Sequence, residues 1–227
     1  MSAEPFLAAL QLGDSALPLG RFAHSQGLEA FLAAEPEAQE DEIAELVESV
    51  VLEAAGPLDG VAVADAHRAA HKGDLGGLVE LDGRVTARKL TPASRVSSTA
   101  CGRSLAALVP LLTDARTAVA FAQLARSGET DGNLAVVEGA LAAALGLSEE
   151  EAVLVELRCA ATSLLSAAVR LGRLSAFRAQ AIVRRLEPAM VAAAREALGS
   201  EELRATLPEL ELHALTHRRT ATRLFVT

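Results

Sequence analysis

Apolar residues recur along this 227-residue chain at the three-to-four spacing of helices, and nowhere do they alternate with the period of two that a half-buried strand needs. A short helix is predicted over about Pro5 to Leu12, and a second begins near Ser25. Ile43, Leu46, Val47, Val50 and Val51 form the apolar stripe of a third, opened by Asp41 and expected to stop at Gly56-Pro57. Asp59 is expected to cap the next, which carries Val61, Ala62, Ala66 and Ala69 before Lys72-Gly73. A shorter helix follows around Leu75 to Leu81. Thr91-Pro92 supplies an N-cap and a first-turn proline for a helix reaching about Leu112. Further segments near 114–126, 131–146, 149–171 and 175–198 are separated by Ser, Asp or Gly. Ser148 with Glu151 is a capping-box pattern, and Pro188 is expected to kink or split the last segment. No repeat, long linker or low-complexity block divides the chain. The pattern predicts one all-α domain of about ten helices, bundle-like.

Composition narrows this picture. Apolar residues make up 51% of the chain, yet only six are aromatic, all Phe, so the core is expected to be built from Ala, Leu and Val. A net charge of -9 argues against a nucleic-acid footprint. Cys101 and Cys159 lack metal-ligand spacing, which suits two reduced thiols in a cytoplasmic protein. MSAEPFLAAL has no basic region ahead of an apolar one, as an export signal would, and the Ala/Leu-rich 133–147 segment is interrupted by Glu138. A soluble protein without a membrane span is therefore expected.

The densest cluster of turn and polar residues is LGDSALPLGRFAHSQGLE, from Leu12 to Glu29. Asp14 and Ser15 at a helix exit, followed by Pro18 and Gly20, specify a turn of defined shape. Ser25 is expected to cap the next helix, with Glu29 near its positively polarised start, leaving Phe22 and His24 to pack or to face a partner. Asp14, Ser15 and His24 superficially suggest a nucleophile triad, but no nucleophile elbow accompanies them and mutual turn capping fits better. His67 and His71, like His213 and His217, stand four apart and could present two imidazoles to one metal; no HExxH or Cys-rich set completes a site, which favours solvent-facing histidines. No GxxxxGK[ST] or GxGxxG loop is present, so the chain lacks nucleotide machinery of its own. Arg218, Arg219 and Arg223 give an acidic protein a basic tail, and Arg223-Leu224-Phe225 is a compact anchor of the kind that supplies interface energy.

The Leu12–Glu29 segment resembles the signature of the urease accessory protein UreF family, roughly D-S-A-F-P-x-G-G-F-A-H-S-x-G-L-E. Agreement runs without gaps through Asp14, Ser15, Ala16, Pro18, Gly20, Phe22, Ala23, His24, Ser25, Gly27, Leu28 and Glu29. It departs at Leu17, where the family has Phe, and at Arg21, where it has a second Gly. Ala87-Arg88, Arg95, Ser98 and Gly102-Arg103 are similar to a family helix A-R…R-x-x-S-x-x-x-G-R, with Pro92-Ala93 in place of Arg-Glu. Gly132, Ala135-Val136-Val137 and Gly139 resemble a further block in which Asn133 and Leu134 replace His and Tyr. Ser166 to Leu171 with Gln180, and the tail from Pro208 through His217 to Arg223-Leu224-Phe225, continue the likeness, although Arg218 and Ala221 replace the family's Glu and Tyr.

This resemblance implies a non-enzymatic assembly factor for the nickel centre of urease, without a cofactor of its own. It implies a homodimer that bridges the UreD/UreH accessory protein and the UreG GTPase, and docks on apo-urease. Partner contacts would involve Asp14, Ser15, Pro18, Gly20, Phe22, His24, Ser25, Gly27, Glu29, Arg95, Ser98, Gly102, His217, Arg223, Leu224 and Phe225. Residues 1–207 would form the helical domain and 208–227 a partner-binding tail. The competing readings are a metal-dependent helical enzyme built on His67 and His71, and a helical adaptor unconnected with urease.

Overall fold

In a computed structural model, which describes residues 3–204 together with Phe225, the helical periodicity becomes α1 (Ala3–Leu12), α2 (Leu28–Ala34), α3 (Glu40–Ser49), α4 (Val61–His71), α5 (Leu75–Arg88), α6 (Pro92–Leu112), α7 (Arg116–Ser127), α8 (Leu134–Ala144), α9 (Glu149–Arg170), α10 (Ala176–Arg185) and α11 (Glu187–Leu198). No strand occurs among the described residues, and the all-α expectation holds. The capping signals act locally as read. The Thr91 hydroxyl accepts the Ser94 N–H at 3.0 Å at the start of α6. Ser148 and Glu151 close a reciprocal capping box on α9, at 3.2 and 2.8 Å. Pro188 sits in the first turn of α11, where a missing N–H costs nothing, so it splits the 175–198 segment into α10 and α11.

Gly56-Pro57 does not stop the third helix. Val50–Gly60 instead forms a π-helical stretch that carries the chain from α3 into α4 without a break. The wider turn accommodates a proline ring inside the helix, and Pro57 O accepts the Arg204 N–H at 3.0 Å. Asp59, expected as the cap of α4, lies within this stretch and pairs with Lys89 Nζ at 2.8 Å. The other departures are at helix ends. α3 opens one residue early on a Gln39/Glu42 capping box, and α5 runs on to Arg88 from an Asp74 cap.

The core is aliphatic, as the composition requires, with Phe121 the largest fully buried side chain. α9 occupies its centre and packs against α4, α8, α11 and the π-helical stretch. α9 is long and apolar enough by length and composition to cross a membrane, although Glu156 and Arg158 interrupt its apolar run. Here most of that surface is buried by the surrounding helices, through Val153, Leu157, Ala161, Leu164, Leu165 and Ala168. α4 and α8 approach almost to backbone contact. A Cβ at Gly139 would stand 2.4 Å from the Val63 carbonyl oxygen, so only glycine permits this spacing.

Candidate partner-binding site

Between α1 and α2 the chain makes two turns of different character. The first is local and exposed. Asp14 Oδ1 accepts the Ala16 N–H at 2.8 Å and Asp14 O accepts the Leu17 N–H at 3.1 Å, giving an Asx-type turn that carries Asp14, Ser15 and Pro18 outward while Leu19 turns into the core. Gly20 follows at φ +81°, then a 3-10 turn over Arg21–Ala23. The second turn is buried: His24, Ser25 and Gly27 are all inside, and Gly27 at φ +92° is the N-cap of α2. Ser25 therefore does not cap that helix, which opens at Leu28 without a side-chain cap. Both glycines occupy the left-handed region that a side chain disfavours. His24, read as free to pack or to face a partner, is packed inside. Burial lowers its pKa from the ordinary 6.5, so the ring is neutral near pH 7.

One face of α9 holds the 3-10 turn. Glu156, Ser163 and Arg170 recur every seven residues, two helical turns apart, and each reaches the same short segment. The Glu156 carboxylate pairs with the Arg21 guanidinium. The Ser163 hydroxyl donates to the Arg21 carbonyl at 3.5 Å, and Arg170 Nη1 donates to the Phe22 carbonyl. A second carboxylate, Glu138 on α8, lies 2.6 Å from the same Arg21 nitrogen. Glu138 and Glu156 are almost wholly buried. Burial, then the neighbouring Glu156, pushes the Glu138 pKa well above its ordinary 4.5 against the opposing pull of Arg21, which favours its protonated form. Burial alone would lower the Arg21 pKa, but Glu156 and Glu138 together outweigh it and the guanidinium is firmly cationic. Burial also pushes Cys159 up to about 12 and raises Cys101, which leaves both as unreactive thiols.

Arg170 links this segment to the far end of the chain. Its guanidinium carbon lies 4.4 Å from the centre of the Phe225 ring, and Phe225 is buried with its N–H 3.4 Å from Glu29 Oε2. Glu29, Phe22 and Phe225, about two hundred residues apart in sequence, thus meet at one place. His217, Arg223 and Leu224 lie outside the described residues, as does the His213/His217 pair.

The α6 residues serve the interior. Arg95 donates to the Lys89 carbonyl and fixes the α5–α6 turn. Ser98 is buried, accepting the Leu134 N–H at 3.4 Å, and Gly102 faces the Gly132–Leu134 backbone. Ser98 and Arg21 share the wall of a partly open cleft of about 170 Å³ lined by residues of the signature segment, the π-helical stretch, α6 and α9. His67, expected to face solvent, is buried, and its Nε2 lies 2.7 Å from the Leu147 carbonyl oxygen, an acceptor to which only a protonated nitrogen can donate. That nitrogen has no lone pair left for a metal. Among the described residues no three His, Cys, Asp or Glu side chains are grouped to hold an ion.

The UreF family model matches residues 38–187, about two thirds of the chain. The chain belongs to the UreF family. It is 32% identical to urease accessory protein UreF 2 of Brucella canis over 222 residues, covering 97% of this chain and 91% of that protein. It is 31% identical to urease accessory protein UreF of Yersinia enterocolitica over 183 residues, covering 81% of this chain and 80% of that one. Against the UreF signature, Arg21 stood out only as a departure, and its role was missed. Two signals pointed toward it: Glu138 inside an otherwise apolar α8, and the seven-residue recurrence of Glu156, Ser163 and Arg170 on α9.

Proposed function

We propose that this urease accessory protein is a non-enzymatic cytoplasmic scaffold and GTPase regulator in nickel insertion. It works as a homodimer that bridges UreD/UreH and UreG and docks on apo-urease. The observation that supports this reading best is the junction at Arg170, which binds the Phe22 carbonyl and stacks on Phe225. Phe22 of the signature and Phe225 near the chain end, residues from the two segments that the family likeness connects with partner binding, are joined there through one side chain. Nickel is cargo in this scheme, and this chain contributes shape and control over the GTPase. Co-expression with UreD/UreH and UreG, followed by affinity capture and light scattering, tests it. Recovery of both partners with two copies of this 23.5 kDa chain is expected. A monomer that retains neither partner would overturn it.

Within this scheme the signature acts through shape. Gly20→Val and Gly27→Val force a side chain into left-handed backbone, whereas His24→Gln replaces a buried neutral ring with a hydrogen-bonding amide. Both glycine variants should impair nickel-dependent urease activation in cells at least as severely as His24→Gln, at matched protein levels. Loss of activation in His24→Gln alone would point instead to proton or metal handling at His24.

A further inference from the structure

The 3-10 turn at Arg21–Ala23 is the hinge of the signature segment, and little in its own three residues holds it. Its N-cap Gly20 makes no side-chain cap, a Cβ there would meet nothing within 4 Å, and among the described residues the hydrogen bonds of the preceding turn run within itself and to the end of α1. The turn's position therefore comes from outside, from the Glu156, Ser163 and Arg170 ladder on α9 and from Glu138 on α8. Two of these groups hold main-chain carbonyls. The other two converge on one nitrogen of the Arg21 side chain, Nη2, which is held between two oxygens from two different helices.

We propose that Arg21 is a positioning residue for partner capture: by clasping Glu156 and Glu138 at once, it fixes the orientation in which the signature segment meets the accessory proteins. This rests on the functional reading above, in which that segment is a partner surface. The arrangement has two parts. The guanidinium matches the charge of Glu156, and Glu138 adds a second acceptor from another helix, so Nη2 is fixed from two sides. A lysine would match the charge, but its stem is one atom shorter and its ammonium falls short of the place that Nη2 holds between the two oxygens. If the cluster served only to stabilise the fold, an uncharged set of similar shape would replace it, because buried ion pairs can be exchanged for neutral groups with little loss of stability.

The test compares Arg21→Lys with the triple variant Arg21→Met/Glu138→Gln/Glu156→Gln. Readouts are thermal unfolding, hydrogen exchange of the amides from 14 to 27, and capture of co-expressed UreD/UreH. Expected for the triple variant is a melting temperature near that of the natural protein, with at least tenfold faster exchange in the segment and at least tenfold weaker capture. Arg21→Lys should fold and show the same two losses. Should the triple variant not fold, Arg21→Lys decides alone. Natural exchange and capture in whichever variant folds would overturn the proposal. Should the natural protein capture no UreD/UreH, the scaffold reading fails, and the exchange of residues 14–27 still decides whether Arg21 positions the segment.

Discussion

Replacing Arg21 with Met should lower the free energy of unfolding by about 3–5 kcal/mol, the range seen when one partner of a buried ion pair is removed. The loss comes less from the missing contact than from what remains, since Glu156 and Glu138 stay in an apolar interior without their cation. Glu156→Gln should be costly for the converse reason, because it leaves the guanidinium without its ionised partner. Glu138→Gln should behave differently. Burial and the adjacent Glu156 favour the protonated form of Glu138, and glutamine resembles that form closely. The pH dependence follows from the sign of this shift. A carboxyl whose pKa rises on folding binds its proton more tightly in the native state than in the unfolded one. Its favourable contribution is complete below the ordinary 4.5 and is lost as pH rises from there toward the elevated native value. Glu138→Gln has no such loss, so its stability relative to the natural protein should improve between about pH 5 and pH 8. Urea titrations at the two pH values measure both effects. A Glu138→Gln variant whose deficit grows with pH would show that this carboxyl is ionised in the native state.

The second large effect is expected at two glycines. A Cβ at Gly102 would lie 2.0 Å from the Gly132 carbonyl oxygen and 2.7 Å from the Leu134 nitrogen. One at Gly139 would lie 2.4 Å from the Val63 carbonyl oxygen and 2.8 Å from Ala66 Cβ. The obstacles are mostly backbone, which cannot rotate aside like a flexible side chain, so α6 or α8 must shift as a whole. Each substitution to alanine should cost about 3 kcal/mol, at the upper end of the overpacking range. Gly83→Ala makes the contrast. That residue is exposed in α5 with nothing within 4 Å of its would-be Cβ, and alanine there should stabilise by about 0.5–1 kcal/mol through helix propensity. Thermal melts of the three variants should therefore fall on both sides of the natural protein. Equal effects would mean that the close approaches are relaxed in solution.

Much of the architecture was legible because its causes are local. Thr91-Pro92 and Ser148…Glu151 carry the donors, acceptors and fixed torsions of their own helix starts, so their reading required no knowledge of neighbours. Pro188 was legible for the same reason. Gly56-Pro57 misled because a proline forbids one hydrogen bond without forbidding the helix. Packing of this stretch against α11, where a Cβ at Gly56 would stand 3.0 Å from Ala193 Cβ, accompanies its continuation through a π turn. Ser25 misled in a related way. It suits a cap but lies inside the folded chain without capping α2, and of the two places open to His24, packed or facing a partner, folding takes the packed one.

The candidate site divides along the same line. Its membership was readable as a motif from Asp14 to Glu29 and as a chain end at Phe225, and the turn-forming residues implied a fixed shape. That Phe225 returns to Glu29 and Arg170 depends on contacts across almost the whole chain, which no local propensity encodes. Arg21 shows the limit most clearly. In sequence it is one charged residue inside a turn, where solvent is the ordinary expectation. Folding places two acidic groups from α8 and α9 against it and removes the water, turning a departure from the family pattern into the group that anchors the segment. Helix periodicity, caps and turn shape are written within a few residues, since the forces responsible act over a few residues. The charge state of Glu138, the burial of His24 and the meeting of the two chain ends depend on desolvation, which exists only once the helices have packed.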